Sequence, residues 1–186
     1  MKHRLLLLYC WMIRSSLYFL PDMHIFMRFR GWLYGWGLNT VGKNFQVAHN
    51  VILSCIERLS VGDNVYIAPY GILYATGRII IKDNVIIGPN CLMSSGNHTF
   101  QDNSYCNGLG MFKQISIESG CWIAGHCILL AGSSLPARSI LAAGSVLTKN
   151  AFLEEGIYGG MPARLIRTGY LEYDEEQKEI KTQFVK

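Results

Sequence analysis

Charged residues are scarce in this sequence, and no stretch concentrates them. Only 16% of the 186 residues are charged, and the formal net charge is +4. A dedicated nucleic-acid surface requires a dense block of lysine and arginine, which the sequence lacks. The composition therefore favours small anionic ligands or a phospholipid surface over nucleic acid as partners.

Long hydrophobic runs are also lacking, although half of the residues are hydrophobic. The apolar stretch 5–13 ends at Arg14, whereas a helix that spans a bilayer needs about 20 apolar residues. No small-residue cleavage site follows the stretch, as a signal peptide would require. Two alternatives remain for residues 1–40: an apolar helical cap on the rest of the fold, or a segment at a membrane surface, where interleaved Arg, Trp and Tyr are suited to the headgroup region.

The six cysteines include no Cys-x-x-Cys pair. This spacing argues against a redox motif and a zinc ribbon, and no disulfide framework is indicated. We expect the cysteines to act as small apolar side chains in a reducing compartment, and therefore a cytoplasmic protein.

The strongest pattern is a period of six between residues 117 and 152. Each of six consecutive frames opens with an aliphatic residue: Ile117, Ile123, Leu129, Leu135, Leu141 and Leu147. Each frame also has a small fifth residue: Cys121, Cys127, Ser133, Ser139, Ser145 and Ala151. This period is the signature of a parallel β-helix, in which each frame is one short strand and a turn and three frames make a triangular coil. The opening residue is predicted to point inward and the fifth to fill a tight inner corner.

The same period begins more loosely at Val41, with coils of about 20 residues rather than 18. We expect about five coils, with Gly, Asp and Asn of the GDN and KDN tripeptides in left-handed conformations at the turns. The pattern fails at about residues 99–115, which predicts an extruded loop of about one coil in length. Long loops on rigid scaffolds often carry function.

One domain with three parts is therefore predicted. Residues 1–40 form the N-terminal segment, residues 41–152 form the β-helix with its loop, and residues 153–186 form a C-terminal segment that ends in a short helix. The fold class is all-β.

The frames from residue 117 onward, followed by GGMPARLIR, resemble the cofactor-binding end of the hexapeptide-repeat acyltransferases. Similar proteins include the galactoside and maltose O-acetyltransferases and the xenobiotic acetyltransferases. The resemblance implies left-handed coiling, because parallel crossovers are otherwise right-handed. It also implies a homotrimer that uses acetyl-CoA as co-substrate.

His98 stands where this family has the histidine that removes a proton from the acceptor hydroxyl. A neutral imidazole has an ordinary pKa of about 6.5, so the residue type can act as a general base near neutral pH. The alternative is a loop histidine that only caps a turn.

The resemblance also implies a set of residues that contact CoA. They are Trp122, Gly125, Ala143, Thr148, Lys149, Arg164 and Arg167. Cations among them suit a cofactor that carries several phosphate charges.

The acceptor site departs from the sugar-acetylating relatives. Where they have polar Asn and Asp contacts, this chain has IAPYGILYATG. Thr76 and Asn97 are the acceptor contacts that we predict, and the acceptor is expected to bind in a different way.

A metal site is not expected. Hexapeptide proteins that resemble γ-class carbonic anhydrases share this scaffold, but catalytic zinc generally needs three protein ligands. Only His98 and His126 fall in the strictly spaced coils. The resemblance implies an acetyl-CoA-dependent O-acetyltransferase, and the acceptor that we expect is a sugar of a lipopolysaccharide, capsule or exopolysaccharide pathway. The alternatives are an antibiotic acetyltransferase and a β-helix scaffold without enzymatic activity.

Overall fold

A triangular prism of short parallel strands forms the body of the protein. The computed structural model describes residues 2–148, 154–174 and 179–183. The strands of the coils are β1 (Thr40–Val41), β2 (Gln46–Val47), β3 (Ile52–Ser54), β4 (Leu59–Val61), β5 (Tyr66–Ile67), β6 (Ile72–Tyr74), β7 (Ile79–Ile81), β8 (Ile86–Ile87), β9 (Leu92–Ser94), β10 (Gly96–His98), β11 (Gly110–Phe112), β12 (Ile115–Ile117), β13 (Trp122–Ile123), β14 (Ile128–Leu130), β15 (Ser134–Leu135), β16 (Ile140–Leu141) and β17 (Val146–Leu147), of which β10 and β11 belong to the extruded loop.

Three parallel sheets make the sides of the prism. Sheet A has the order β1-β4-β7-β12-β15, sheet B contains β2-β5-β8-β13-β16, and sheet C has the order β3-β6-β9-β14-β17. The chain visits A, B and C in turn, which gives five complete coils within the described residues. The architecture is a left-handed parallel β-helix, and the predicted fold class is confirmed.

The six-residue period places the core as predicted. All six opening residues, from Ile117 to Leu147, are fully buried, and so are the described fifth residues, from Cys121 to Ser145. Ala151 lies outside the described residues. Burying an aliphatic side chain of this size stabilises a fold by about 1.5–3 kcal/mol, so the stacked columns provide the main cohesion between coils.

Coil lengths differ at one corner of the prism. In sheet A, the first two pairings join residues that are 20 positions apart: Val41 with Val61, and Val61 with Ile81. Ile81 then pairs with Ile117, and Ile117 pairs with Leu135, which is 18 positions further on. The insertions all follow the third strand of a coil, at the corner between sheets C and A. In the third coil the interval is 36 residues, from Ile81 to Ile117, so the loop adds one coil length to an 18-residue coil.

In the turns formed by the GDN and KDN tripeptides, the Asn residues and the Gly and Asp residues have different structural roles. Asn64 and Asn84 adopt positive φ angles of 55° and 58°, as predicted. The prediction is wrong for the Gly and Asp residues, which are not among those with positive φ. Instead, Asp83 Oδ1 accepts the backbone N–H of Asp63 at 2.7 Å, and a Cβ on Gly62 would lie 2.2 Å from that oxygen. Glycine is required there for close approach rather than for its backbone angle.

Two helices precede the coils: α1 (Lys2–Ser16) and α2 (His24–Gly35). Cys10 and Ile13 of α1 and Met27 and Tyr34 of α2 belong to the same buried cluster as the first coil. Neither of the described helices has the length and apolar character needed to cross a membrane. One face of each helix therefore packs on the end of the prism, as the cap alternative predicts.

The C-terminal segment differs from the prediction. β18 (Gly156–Gly160) continues sheet B in parallel with β16, so the chain does not leave the prism at residue 152, and β19 (Ala163–Thr168) pairs antiparallel with β18. The predicted short helix is wrong: β20 (Tyr170–Asp174) and β21 (Glu179–Gln183) form an antiparallel hairpin. In β20, apolar and acidic residues alternate only from Leu171 to Asp174, which is too short a pattern to favour a strand over a helix from the sequence.

Candidate functional site

His98 ends the first strand of a hairpin that projects from the prism. β10 and β11 pair antiparallel, with Gly96 opposite Phe112 and His98 opposite Gly110. The His98 side chain is exposed, and its ring has no hydrogen-bond partner among the residues that the structure describes. The position leaves the imidazole accessible to a ligand and suits a general base, whose hydrogen bonds often form only when the substrate is bound.

Ser95 fixes the base of this hairpin. Its side chain is fully buried. Ser95 Oγ donates to the carbonyl oxygen of Tyr74 at 3.0 Å and accepts the backbone N–H of Gly77 at 2.8 Å. The Ser95 carbonyl oxygen accepts the backbone N–H of Lys113 at 3.0 Å. Ser95, three residues from His98, thus ties the start of the hairpin to the corner of the preceding coil, and Lys113 joins the end of the hairpin to Ser95.

The two predicted acceptor contacts take different positions. Thr76 lies beside the hairpin, since a Cβ on Gly96 would be 2.5 Å from Thr76 Oγ1. Asn97 is exposed within β10, directly before His98. Successive side chains of a strand point to opposite faces, so the geometry favours Thr76 over Asn97 as a contact for an acceptor that meets His98.

The predicted CoA contacts are distributed over the last coils. Trp122 lies on the outer face of sheet B and is 47% exposed. The register aligns Trp122 with Ile140, Ile140 with Ile157, and Ile157 with Arg167. Because neighbouring strands are about 4.8 Å apart, Trp122 and Arg167 are separated by three strand spacings on one side of the prism. Arg164 is exposed on the same strand, β19.

Gly125 and Ala143 meet at the corner between sheets B and C. The Gly125 carbonyl oxygen accepts the backbone N–H of Gly144 at 3.0 Å, so Ala143 lies one coil above Gly125. An added Cβ on Gly125 would meet Pro89 at 3.4 Å, which is ordinary contact. Small residues leave this corner open to a narrow ligand.

Thr148 lies at a different corner. It directly follows β17, on sheet C. Met93 pairs with Leu129 and Leu129 with Leu147, so Thr148 lies two coils beyond the point where the His98 hairpin leaves the prism. Lys149 lies outside the described residues, so its prediction stays a prediction.

The buried thiols behind Gly125 are not candidate nucleophiles. Cys91 and Cys127 are fully buried and donate to the carbonyl oxygens of Ala124 and Ala142. The hydrogen bond to Cys127 and burial raise the pKa of the Cys91 thiol. Burial likewise raises the pKa of Cys121, to about 11. A fully buried thiol has no access to substrate and cannot attack a thioester.

The two halves of the predicted site lie on different parts of one chain. The His98 hairpin leaves the corner between sheets C and A, whereas Trp122, Arg164 and Arg167 lie on sheet B. In a triangular prism, this side is opposite that corner. A single chain therefore does not bring His98 and the sheet B residues together.

Comparisons place this architecture among known proteins. No protein-family model matches the sequence. A hexapeptide-repeat containing acetyltransferase from Vibrio cholerae O1 biovar eltor, solved with acetyl-coenzyme A, is similar with a TM-score of 0.75 and 22% identity over 89% of this chain and 87% of that chain. A maltose O-acetyltransferase from Clostridium difficile 630 has a TM-score of 0.75 and 24% sequence identity over 87% of this chain and 85% of that chain. A galactoside acetyltransferase in complex with coenzyme A has a TM-score of 0.76 and 25% sequence identity over 87% of this chain and 80% of that chain.

The chain has the fold of the hexapeptide-repeat acetyltransferases. The resemblance seen in the sequence is thereby confirmed. The agreement covers nearly the whole chain, including the coils that carry the predicted site.

Sequence reasoning missed Ser95, which anchors the His98 hairpin. The signal was a column of small residues at a spacing of 20, namely Cys55, Ala75 and Ser95, which stack because Ser54, Tyr74 and Ser94 are in register. Ser95 is the polar member of that column, at the point where the loop begins. A hydroxyl group at a buried corner indicates a hydrogen-bonded anchor.

One group of potential metal ligands occurs in the described part of the chain: His3, Cys55 and Glu57. It lies between α1 and the end of the first coil. His3 Nδ1 is 2.8 Å from Glu57 Oε1, so an ion pair accounts for this contact. His98 and His126 are not in the group, and the prediction that the protein needs no metal stays a prediction.

Proposed function

We propose that this protein transfers an acetyl group from acetyl-CoA to a hydroxyl group of a sugar, with His98 as the general base. The observation that carries the proposal is the accessible imidazole on a hairpin that Ser95 ties to a rigid coil. The fold supports it, because the Vibrio cholerae acetyltransferase was solved with acetyl-coenzyme A and the galactoside acetyltransferase with coenzyme A. The names of the maltose and galactoside enzymes support a sugar acceptor.

The reaction requires no covalent intermediate on the protein. His98 removes the hydroxyl proton as the acceptor oxygen attacks the thioester carbonyl carbon. The tetrahedral oxyanion then collapses, the carbon–sulfur bond breaks, and the CoA sulfur receives the proton from the His98 imidazolium. Backbone N–H or hydroxyl donors must stabilise the oxyanion.

Trp122, Gly125, Ala143, Thr148 and Lys149 are the proposed contacts for the CoA arm. Arg164 and Arg167 are proposed to meet its phosphates, because guanidinium groups bind phosphate through paired hydrogen bonds. Thr76 and Asn97 are the proposed acceptor contacts.

The active form is proposed to be a homotrimer with shared sites. Ile86 and Trp122 form an exposed apolar pair in register on sheet B, which suits contact with a second copy. A neighbouring chain could then bring its His98 hairpin to the Trp122 side, which one chain alone cannot do. Closed symmetry makes every such contact equivalent.

Mixing two inactive variants tests the shared site. His98→Ala and Trp122→Ala chains are each expected to have little activity. Co-expressed, they should recover roughly a quarter of the parental sites if each site takes one residue from each neighbour. No recovery in verified mixed trimers would place the site within one chain.

The acceptor is proposed to be a glycan of a lipopolysaccharide, capsule or exopolysaccharide pathway, reached at the inner face of a membrane by a cytoplasmic protein. Release of CoA thiol from acetyl-CoA, measured with sugars, nucleotide sugars and antibiotics as acceptors, tests the reaction class. Release with a sugar alone supports the proposal. Release only with antibiotics would favour a xenobiotic enzyme, and no release with any acceptor together with no binding of acetyl-CoA would favour a scaffold.

A further inference from the structure

Helix α2 presents apolar side chains on two opposite faces. Its buried face contains Met27, Gly31 and Tyr34, and a Cβ on Gly31 would lie 2.0 Å from the carbonyl oxygen of Phe45. This helix therefore lies directly on the first coil. Its other face contains exposed Ile25, Phe29 and Trp32, and exposed Trp36 directly follows the helix.

The exposed face of α2 is a continuous aromatic stripe. Ile25, Phe29 and Trp32 are spaced by four and three residues, which places them on one side of a helix. The rings of Phe29 and Trp32 are stacked with centroids 6.0 Å apart, and those of Trp32 and Trp36 meet edge to face at 5.2 Å. Trp32 is 55% exposed and Trp36 73% exposed.

Helix α1 has the same character. Cys10 and Ile13 are buried against the coil, whereas Leu5, Leu8, Trp11 and Met12 are each more than half exposed. A helix that is hydrophobic on all sides is normally buried on all sides, in a protein core or in lipid. The connection between the helices adds Tyr18, Phe19 and Met23, which are also exposed.

All of the net charge of the protein is located in this segment. Residues 1–40 contain five basic residues (Lys2, Arg4, Arg14, Arg28 and Arg30) and one acidic residue (Asp22), a net charge of +4. The whole chain has 17 basic and 13 acidic residues, so residues 41–186 contain 12 of each and are neutral. The partner of this surface is therefore expected to be anionic.

We propose that the outer surface of α1, α2 and their connection, the helical face, lies on a bilayer that contains anionic lipid. The helices would lie in the plane of the headgroups, with the tryptophan and leucine side chains at the acyl boundary and the exposed Arg4 and Arg28 among the phosphates. A second copy of the chain fits less well, because residues 1–40 have a net charge of +4 and two such segments repel each other. The proposal deepens the membrane contact proposed above but is independent of the acetyl transfer.

Co-sedimentation of the full chain with vesicles tests this surface. Vesicles of phosphatidylcholine with phosphatidylglycerol should bind the protein at low salt, and binding should decrease as salt rises. Vesicles of phosphatidylcholine alone should bind less. Arg28→Glu should lower the partition coefficient roughly five-fold or more, whereas the matched control Arg78→Glu, another exposed arginine outside the helical face, should bind as the parent does.

The apolar contribution is tested with a Trp32→Gln/Trp36→Gln double variant. It should lose most of the vesicle binding that the parent shows while its thermal unfolding stays close to that of the parent, because both side chains are exposed. Acetyl transfer to a soluble acceptor should be unchanged in this variant and in Arg28→Glu, so a failed transferase assay and a failed binding assay are distinguishable.

Three results would overturn the proposal. The parent could stay in the supernatant with both kinds of vesicle, or both helical-face variants could bind as well as the parent. Alternatively, the parent could fail to bind while the double variant has a smaller oligomeric mass in solution, which would show that a second copy covers the helical face.

Discussion

Ser95 Oγ accepts the backbone N–H of Gly77 at 2.8 Å and thereby joins the His98 hairpin to the corner of the preceding coil. The same hydroxyl group donates to Tyr74, so one buried side chain satisfies two backbone groups. Loss of this hydroxyl would leave the backbone N–H of Gly77 without this acceptor, whereas the Tyr74 carbonyl oxygen would still accept the backbone N–H of Ser95 at 3.1 Å.

Ser95→Ala is therefore expected to lower the free energy of unfolding by about 1 kcal/mol, the usual net contribution of a hydrogen bond within a folded protein. It should also lower kcat more than it changes the KM for acetyl-CoA, since it loosens the hairpin and not the cofactor surface. Urea unfolding and steady-state kinetics measure both. Ser134→Ala, at a half-buried position on sheet A, is the matched control and should behave as the parent.

His98→Ala should lower kcat by about a hundred-fold or more, as expected for a lost general base. The affinity for CoA, measured by calorimetry, should remain nearly the same. His24→Ala removes another exposed histidine and should keep parental activity. If His98→Ala retains activity within a few-fold, another group accepts the proton.

Arg164→Ala should raise the KM for acetyl-CoA more than it lowers kcat, because a phosphate contact binds ground state and transition state alike. The effect should be larger at low salt, where phosphate–cation attraction is less screened. Lys149→Ala is expected to behave in the same way. Arg78→Ala serves as the control, and an unchanged KM in both cofactor variants would place the CoA phosphates elsewhere.

The asparagine column at one corner is expected to stabilise the coils. The Asn64 side-chain amide donates to Asn84 and accepts from Asn44, each at 3.0 Å, while its backbone has a positive φ. Asn64→Ala should lower the free energy of unfolding by about 1–3 kcal/mol.

Two further variants separate the contribution of the side-chain hydrogen bonds from that of the left-handed backbone. Asn64→Gly keeps the left-handed backbone without strain and should lose only the side-chain hydrogen bonds. Asn103→Ala changes a left-handed residue in the loop that is outside this column, and should show only the backbone cost. Equal stability of Asn64→Ala and the parent in urea would contradict the role of the column.

The buried thiol of Cys121 predicts a loss of stability in alkaline solution. Burial raises its pKa from 9.0 to about 11, so the folded state holds the proton that the unfolded state has lost. This stability is fully present below pH 9 and is lost as the pH rises toward 11, by at most about 2–3 kcal/mol. Cys121→Ala should show a smaller decrease over this range in urea unfolding, whereas Cys106→Ala, at an exposed position, should match the parent.

Local pattern was sufficient for the architecture of the coils. A period of six requires a strand and a turn in each frame, and a residue such as Leu141 can be buried only if its equivalents stack above and below it. The extruded loop was also predictable, because Tyr105 and Met111 stand where aliphatic residues should open frames. Those side chains are exposed in the structure.

The C-terminal hairpin was not recognised, because a short charged segment of mixed pattern does not distinguish a helix from two strands. The role of the glycines at the turns was missed for a different reason. Gly62 is needed because Asp83 of the next coil approaches it, and a contact between residues 21 positions apart leaves no trace in the local sequence.

The sequence by itself determined the period, the buried columns and the place of His98 at the start of a loop, because these depend on residue type and spacing along one chain. Only the tertiary structure decided that Ser95 holds the hairpin, that His98 and Trp122 lie on opposite parts of the prism, and that the helical face remains exposed. Each of these depends on which coil lies above another and which side of a helix is covered. Such relationships depend on packing between residues that are far apart in the sequence, which a local pattern does not reveal.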